Sequence, residues 1–182
     1  MSNAIRYLKA LADETRLRLA LVLHHYELSV NELVTLRDIG QSRVSRHLKV
    51  WAEAGLVTAR RDSLWVFYSA PERGGAKDFL DSGMPFTGRD DVGQADLSMA
   101  AHILEERARK TRQFFNAIAE DWDELNREVL GAFHLAPAVR GFVPEACGVA
   151  VDLGCGTGEV VEALRGACRE IIGVDGSPRM LE

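Results

Sequence analysis

The sequence predicts a mainly α-helical fold with one β-hairpin, followed by a long helix and the start of an α/β segment. Three observations predict this fold. Residues 5–69 hold short amphipathic helices with capping residues and then two strands. Residues 97–129 repeat apolar side chains every three or four positions. Residues 149–175 place a glycine-rich turn and a helix start between two apolar strands.

The composition is that of a folded, water-soluble protein. Of the 182 residues, 47% are hydrophobic and 27% are charged. No apolar stretch approaches the roughly 20 residues of a membrane span, and no signal-peptide pattern opens the chain. Three cysteines without a C-x-x-C spacing indicate reduced thiols rather than a disulfide framework or a zinc site. We therefore expect a cytoplasmic protein.

The net charge of −5 is unevenly distributed along the chain. Residues 1–32 carry four basic and four acidic side chains, so their charges cancel. Residues 33–69 carry six basic and three acidic side chains, net +3, whereas residues 70–182 carry twelve and twenty, net −8. A local basic excess on an acidic protein is typical of a nucleic-acid-binding face.

Capping residues set the predicted helices of the first 60 residues. Asp13 is placed to cap a helix rich in leucine, and Ser29 with Glu32 forms an S-x-x-E capping box for the next one. Gly40 is the predicted N-cap of a third helix, which Gly55 ends. Two strands, 56–60 and 64–69, are then expected around a turn at residues 61–63.

The third helix has one apolar side and one polar side. Val44, Leu48 and Trp51 recur at i, i+4 and i+7, which predicts that they face the core. The polar side chains on or near the opposite side are Gln41, Ser42, Arg43, Ser45, Arg46 and Lys49. Short helix, turn, helix and two-stranded wing together make a winged helix-turn-helix.

Two strings of residues resemble the ArsR family of winged-helix repressors. Residues 8–19, LKALADETRLRL, are similar to the start of these proteins, and residues 44–57, VSRHLKVWAEAGLV, are similar to their recognition helix and the entry to the wing. The resemblance covers about residues 5–69. It implies a transcriptional regulator that binds a double-stranded DNA operator as a homodimer.

The chemistry of the exposed side chains fits this implication. Gln41 and Arg43 can contact adenine and guanine through paired hydrogen bonds, and Ser42 and Ser45 suit phosphate or base. Arg60 and Arg61 are expected near the wing tip, where it approaches the minor groove. His47 is either a base contact or a boundary histidine of the core. The candidate DNA-binding residues are therefore Gln41, Ser42, Arg43, Ser45, Arg46, Lys49, Arg60 and Arg61.

A metal site is not expected. Many ArsR relatives bind metal through cysteines ahead of the recognition helix, but this sequence has Ser29 there and no cysteine before Cys147. His102 and Glu105 form an H-x-x-E pair like that of zinc-responsive relatives. The D-x-H partner of that pair is absent from the sequence.

Residues 71–95, rich in glycine and proline, are read as a connector, and residues 96–130 as a long helix. The apolar positions of this helix alternate at steps of four and three, as in a heptad seam. They are Leu97, Ala101, Leu104, Ala108, Thr111, Phe115, Ile118, Trp122, Leu125 and Val129. One interpretation is one or two amphipathic helices packed on their own domains; the other is a dimerisation helix. Both interpretations can hold, with the first half of the helix used for dimerisation and the second half packed on the next domain.

The residues DLGCGTG at 152–158 and the acidic residue Asp175 resemble motif I and the following acidic residue of class I S-adenosylmethionine-dependent methyltransferases. The spacing is G-x-G-x-G, unlike the G-x-G-x-x-G of nicotinamide binding. The resemblance implies that Gly154, Gly156 and Gly158 approach the ligand and that Asp152 lies near its ammonium group. It implies that Asp175 accepts hydrogen bonds from the ribose hydroxyls. Residues 114–123 resemble the helix that lies over this cofactor.

The predicted domains are a winged-helix domain with its connector at 1–95, the long helix at 96–130, and the beginning of a Rossmann-like domain at 131–182. Two strands and one helix do not make a complete doubly wound sheet, and no catalytic residue is assigned. The leading hypothesis is a homodimeric repressor that responds to S-adenosylmethionine or S-adenosylhomocysteine. The alternatives are a small-molecule methyltransferase with a winged-helix dimerisation domain, and a DNA-binding protein whose cofactor fold is a relic.

Overall fold

The computed structural model describes residues 3–131, 133–144 and 146–182. Packing divides the chain into two compact units, one ending at Glu105 and the other beginning at Glu106. Among the described residues, no helix is both long enough and apolar enough to cross a membrane.

In the part of the chain that the structure describes, the first unit contains five complete helices and a three-stranded antiparallel sheet. In chain order its elements are α1 (Asn3–Leu11), α2 (Glu14–His25), β1 (Leu28–Ser29), α3 (Val30–Arg37), α4 (Gln41–Ala54), β2 (Thr58–Asp62), β3 (Trp65–Ser69), α5 (Gly75–Thr87) and the first part of α6 (Asp91–Ile118). The strand order is β1-β3-β2, with Leu28 opposite Tyr68 and Arg60 opposite Phe67. This is the helix-turn-helix with a two-stranded wing that the sequence predicts.

The predicted caps are confirmed. The Oδ1 atom of Asp13 accepts a hydrogen bond from the backbone N–H of Arg16 at 2.9 Å, and this bond lowers the pKa of Asp13. Ser29 and Glu32 form a complete capping box at the start of α3. Gly40 is the N-cap of α4, and Gly55 ends it in the left-handed conformation.

The core of the first unit lies beneath α4. Val44, Leu48 and Trp51 retain only 0%, 3% and 1% of their surface exposed, so their predicted inward orientation is confirmed. They pack in one cluster with Leu19, Leu28 and other apolar side chains of α2, α3 and β1. Burial on this scale fixes one side of α4 and leaves its opposite side to solvent.

The interpretation of residues 71–95 as a connector is wrong, because thirteen of them form α5. Ala76, Leu80 and Met84 stand at i, i+4 and i+8, and the last two are almost completely buried against the core. This apolar stripe outweighs the helix-breaking tendency of Pro85 and the nearby glycines.

A close approach joins the end of α5 to the start of α6. A Cβ atom added to Gly93 would lie 2.3 Å from the carbonyl oxygen of Thr87, so the turn accepts only glycine there. The side chain of Asp90 accepts a hydrogen bond from the backbone N–H of Gly93 at 2.7 Å. The helix therefore begins at Asp91, five residues earlier than its predicted start.

The side of α6 that faces the core of the first unit carries a charged residue, Asp96. Asp96 is 5% exposed and receives two hydrogen bonds from Arg18, at 2.7 and 2.8 Å, and one from Arg37 at 3.1 Å. The hydrogen bond with Asp96 raises the pKa of Arg18. These three side chains connect α6 to α2 and to the last residue of α3, which directly precedes the turn into α4.

The prediction for residues 97–129 is confirmed in part, because Leu97 and Leu104 are half-buried and pack against the core of the first unit. The centre of the buried face and the end of the helix differ from the prediction. The most buried positions of α6 are Gly93, Asp96 and Ala100, one position before the predicted Leu97 and Ala101. The helix also stops at Ile118, and a 3-10 turn at Ala119–Asp121 separates it from the next helix. A search for apolar repeats cannot detect a helix face centred on a paired carboxylate.

The second unit contains a two-stranded parallel sheet and short helices. Its elements after α6 are the 3-10 turn η1 (Ala119–Asp121), α7 (Trp122–Leu130), α8 (Leu135–Phe142), β4 (Cys147–Leu153), α9 (Glu159–Ala163), β5 (Cys168–Val174) and η2 (Pro178–Leu181). Strands β4 and β5 pair in parallel, with Cys147 opposite Cys168 and Leu153 opposite Val174. The strand, glycine turn, helix and strand are the predicted start of an α/β fold.

One face of this sheet is largely apolar and is exposed. Residues two apart on a strand share a face, and directly paired residues of parallel strands share it too. Val149, Val151, Leu153, Ile172 and Val174 lie on this face and are 42–79% exposed. The central strands of a doubly wound sheet are apolar on both faces, because helices cover both faces of the sheet. The sequences of β4 and β5 have this apolar pattern.

We predict that Asp96→Ala destabilises the first unit by about 3 kcal/mol, because it leaves Arg18 and Arg37 without their shared buried partner. Urea unfolding followed by circular dichroism measures the change. The control is Asp81→Ala, which removes an exposed carboxylate near Lys77 and His24 and should cost less than about 1 kcal/mol. Equal losses in the two variants would contradict the structural role of Asp96.

Candidate nucleic-acid interface and ligand site

Helix α4 presents a polar surface opposite the core. All six of its predicted DNA-binding side chains are exposed: Gln41, Ser42, Arg43, Ser45, Arg46 and Lys49. The first turn carries no acidic residue, and Gly40 caps the helix in an extended conformation without a side-chain hydrogen bond. The N-terminal turns of α4 therefore offer hydrogen-bond donors and positive charge on a firmly packed helix.

The wing is a hairpin whose tip differs from the predicted one. Arg61 and Asp62 lie within β2, and the turn is formed by the two residues Ser63 and Leu64. Ser63 has a φ of 52°, as tight two-residue hairpin turns require. Leu64 is 90% exposed and Trp65 is 53% exposed, so apolar groups stand at the tip where basic residues were expected.

The two wing arginines have different surroundings. Arg60 donates two hydrogen bonds to the carboxylate of Glu27, at 3.0 and 2.8 Å, and one to Asp62 at 3.0 Å. Its guanidinium also lies 5.2 Å from the centre of the Phe67 ring. Arg61 is exposed on β2 beside it. The positive charge of Arg60 is largely compensated by Glu27, which directly precedes β1, and by Asp62 of the wing, so Arg60 is a weaker candidate for a DNA contact.

His47 is a buried residue of α4. It is 9% exposed, and burial is the main cause that lowers its pKa. Asp13 opposes this shift, whereas Arg16, Arg43 and Arg46 reinforce it. Of the two interpretations left open by the sequence, the boundary histidine agrees with this burial.

In the second unit, the glycine motif forms a tight loop between β4 and α9. Gly154, Gly156 and Gly158 all have positive φ, at 80°, 54° and 88°. The backbone N–H groups of Gly154 and Cys155 both donate to the carbonyl oxygen of Val174, at 2.7 and 3.1 Å. The loop is thus bonded to the end of β5, directly ahead of Asp175.

Asp175 joins the two loops at this end of the sheet. Its Oδ2 atom accepts a hydrogen bond from the backbone N–H of Gly156 at 3.0 Å, and its Oδ1 atom accepts one from Ser177 at 2.7 Å. Each carboxylate oxygen can accept a further bond, so the group can still take two hydroxyl donors. Asp152 is half-buried near the end of β4. Burial raises the pKa of the neighbouring Cys155, and the charges of Asp152 and Asp175 raise it further.

The segment around η1 lies over the glycine loop. The Thr157 hydroxyl donates to the Asp123 carboxylate at 2.7 Å, and the Ser177 hydroxyl lies 2.6 Å from the Asn116 side-chain oxygen. A Cβ atom at Gly156 would lie 3.2 Å from Nε1 of Trp122, so a larger residue would require the indole to shift, and the positive φ of 54° also favours glycine. The sequence predicts a helix at 114–123 over the ligand, and these contacts place its second half against the loop.

A cleft of about 480 Å³ opens beside the loop. Its wall includes Cys155, Gly156, Thr157 and Gly158, together with Glu120 and the segment Arg179–Glu182. This volume is in the usual range for small-molecule sites. Among the described residues, Gly156 and Gly158 are the predicted ligand-binding residues on this wall, while Asp152, Gly154 and Asp175 lie outside its lining.

Two segments of the chain match models of known families. Residues 13–59 match the family described as "Bacterial regulatory protein, arsR family", and residues 151–182 match one described as "Methyltransferase domain". The fold and the exposed polar helix define the first unit as a winged helix-turn-helix domain. Residues 13–59 of this unit are thus similar to the ArsR-family helix-turn-helix, and residues 151–182 are similar to part of a methyltransferase domain.

Individual proteins are similar to the first part of the chain. The arsenical resistance operon repressor of Escherichia coli (strain K12) is 45% identical over 65 residues, which cover 35% of this chain and 56% of that protein. The transcriptional activator HlyU of Vibrio cholerae serotype O1 is 40% identical over 68 residues, covering 37% and 63%. A solved structure of HlyU from Vibrio cholerae N16961 is 33% identical and covers 46% of this chain and 90% of that chain, with a TM-score of 0.43. The chain spans 55–63% of the length of its first curated relatives.

We predict that stability falls as the pH drops below about 6.5, because burial lowers the pKa of His47 and the unfolded chain then binds the proton more readily. The loss reaches about 1.4 kcal/mol for each pKa unit lost on folding. His47→Gln should flatten the pH dependence of the unfolding free energy between pH 7.5 and 5. Burial lowers the pKa of His24 too, so His24→Gln should also flatten the pH dependence, and measuring both variants separates the contributions of the two histidines. An unchanged slope in His47→Gln would refute this account.

Proposed function

We propose that this protein is a homodimeric ArsR-family transcriptional repressor whose affinity for its DNA operator is set by S-adenosylmethionine or S-adenosylhomocysteine. The observation that carries the proposal is that one helix contributes side chains to contacts in both units. α6 supplies Asp96 to the ion-pair cluster of the first unit and Asn116 to the contacts around Ser177 in the second. A ligand that changes either set of contacts can thereby bias the other.

DNA binding is supported by the surface of the first unit. The exposed side of α4 combines groups that reach base edges, such as Gln41 and Arg43, with Lys49, which suits a phosphate. Residues 33–69 have a net charge of +3 within an acidic chain. The family of residues 13–59 is one of bacterial regulatory proteins. The role proposed for α4 is insertion into the major groove.

Dimer formation is supported by apolar side chains that the first unit leaves exposed. Ile5 and Leu8, at i and i+3 on α1, are 46% and 59% exposed, and Val92 and Met99, at i and i+7 on α6, are 46% and 47% exposed. Such stripes on terminal helices suit pairing of two copies. The dimer would place two α4 helices in successive major grooves of a palindromic site.

Ligand binding is supported by the chemistry of the glycine loop. Positive φ at three glycines lets the backbone approach a ligand closely. Asp175 retains acceptor capacity for the ribose hydroxyls, and Asp152 would balance the ammonium group of the methionine moiety. Gly156 and Gly158 would line the adenosyl ligand in the cleft. No residue of this set supplies an evident base for methyl transfer.

The direct test measures operator affinity by fluorescence anisotropy with each ligand in turn, using DNA fragments selected by the protein itself. A change of at least fivefold with one ligand, at a stoichiometry of two chains per site, is expected for a coupling of about 1 kcal/mol or more. Adenosine serves as the control, because it lacks the methionine moiety. Equal affinity with and without both ligands would remove the sensor function while leaving DNA binding intact.

For base reading, we predict that Arg43→Ala lowers operator affinity by about 1–3 kcal/mol and relaxes preference at one position of each half-site. Lys49→Ala should instead weaken binding to operator and random DNA alike and reduce the salt dependence. Anisotropy titrations on both DNAs at several salt concentrations distinguish the two. If Arg43→Ala weakened both DNAs equally, Arg43 would not read bases.

The wing offers a matched pair of arginines. We predict that Arg61→Ala lowers affinity several-fold and reduces the salt slope by about one phosphate contact. Arg60→Ala should leave the slope nearly unchanged, because Glu27 and Asp62 already pair with this guanidinium. If Arg60→Ala reduced the salt slope more than Arg61→Ala, DNA would have to displace these carboxylates, and Arg60 rather than Arg61 would be the phosphate contact.

For the ligand, we predict that Asp175→Ala lowers the affinity measured by isothermal titration at least tenfold, since it removes charged acceptors at about 1.5–3 kcal/mol each. DNA binding without ligand should remain near normal. Glu170→Gln, at an exposed position of the strand that precedes Asp175, is the control and should bind normally. Circular dichroism checks folding, because Gly156 and Ser177 also lose their acceptor. Unchanged affinity in folded Asp175→Ala would exclude the role proposed for Asp175.

The second candidate is a small-molecule methyltransferase that uses the winged helix for dimerisation. The match of residues 151–182 to a methyltransferase domain favours it. Steady production of S-adenosylhomocysteine from S-adenosylmethionine in the presence of small-molecule acceptors would establish the enzyme. Ligand-dependent operator binding without turnover would establish the sensor.

A further inference from the structure

Two of the three cysteines in the sequence face each other across the parallel sheet. Cys147 and Cys168 are the first residues of β4 and β5 and are directly paired in the register. Neighbouring strands lie about 4.8 Å apart, and disulfides join Cα atoms about 4.4–6.8 Å apart. Both side chains lie on the same face of the sheet, so they meet the first requirement for a cross-link.

The two thiols also interact and can be reached from solvent. Interaction with the Cys147 side chain raises the pKa of Cys168, as expected for two thiols that are directly paired on neighbouring strands. Both residues are half-buried and are free thiols in this structure. Because each stands at the beginning of its strand, where the ladder ends, small backbone shifts can bring the Cβ atoms to the spacing of a disulfide.

Cys155 provides a built-in comparison. It lies in the glycine loop at the other end of β4, near Gly173 of β5, five residues along the strand from Cys168. At about 3.3 Å per residue, this separation is roughly 16 Å. Burial raises the pKa of Cys155, and its thiol contacts the carbonyl oxygen of Gly156 at 3.7 Å. It is therefore out of reach of the other two cysteines.

We propose that Cys147 and Cys168 are an oxidation site, which an organic disulfide converts to an intramolecular disulfide bond. One cysteine thiolate attacks the organic disulfide and displaces one of its sulfurs as a thiolate, giving a mixed disulfide. The second cysteine loses its proton and attacks the protein sulfur of that mixed disulfide, displacing the other half. The two protein thiols are oxidised, the organic disulfide is reduced to two thiols, and the two protons pass to the leaving groups.

The cross-link would enclose the ligand site proposed above without depending on it. It closes a loop of about 22 residues that contains Gly154, Gly156, Gly158 and α9. It would also hold together the two strands whose far ends carry Asp152 and Asp175. Oxidation should therefore stabilise the second unit, because the unfolded chain loses part of its conformational freedom.

The test incubates the full chain with oxidised glutathione at pH 8, blocks remaining thiols, and digests with trypsin and Asp-N protease without reduction. Cleavage ahead of Asp152 separates the three cysteines into peptides 141–151, 152–165 and 166–169. The expected product links 141–151 to 166–169 in the wild type and in Cys155→Ser. Cys147→Ser and Cys168→Ser should give a glutathione adduct on the remaining partner.

Thermal melting gives a second, independent readout. The oxidised protein should unfold about 5 °C or more above the reduced protein, and a reductant should reverse the shift. Cys155→Ser should keep the shift, and Cys168→Ser should lose it. Three outcomes would overturn the proposal. The first is a disulfide that includes Cys155, and the second is the formation of disulfide-linked dimers. The third is that Cys147 and Cys168 both remain thiols or form separate glutathione adducts.

Discussion

The buried carboxylate of Asp96 organises the first unit. Arg18 of α2 and Arg37 of α3 converge on it, and Asp96 itself lies on α6, so one side chain ties three helices together. Ion pairs of this kind contribute little net stability compared with an apolar core, but they are costly to break. They also fix geometry, because the bidentate guanidinium allows few orientations. Since Arg37 immediately precedes the turn into α4, the presentation of the polar helix depends on this cluster.

The same cluster shows what the sequence could not reveal. Capping residues act over three or four positions, so Asp13, Ser29 and Gly40 were sufficient to locate their helices. Asp96 meets its partners 78 and 59 residues away, and no local pattern reports such a contact. The centre of the buried face of α6 was therefore predicted one position off, although the predicted Leu97 and Leu104 do pack against the core. The helix α5 was missed for the opposite reason, since Pro85 and the glycines of the helix hid a regular apolar stripe.

The candidate sites divide in a similar way. Exposure of the polar side of α4 followed from the period of its apolar side, and the structure agrees for each of the six residues predicted there. The hairpin turn was misplaced by about one residue, which is enough to move Arg61 into a strand and to bring Leu64 to the tip. The positive φ angles at the glycine loop suit the motif. The bonds from Gly156 and Ser177 to Asp175 depend on tertiary folding and could not be read from spacing.

The position of Trp122 has an optical consequence. Its indole lies against Gly156 and contacts the ring of Phe115, while Trp51 is enclosed in the core and Trp65 stands at the wing tip. The three tryptophans of the chain thus sample three different environments. Indole emission depends on local polarity, so a polar quencher in solution will reach Trp65 readily and Trp51 hardly at all. The chain therefore carries its own fluorescent probes, one for the protein interior, one for the hairpin and one for the glycine loop.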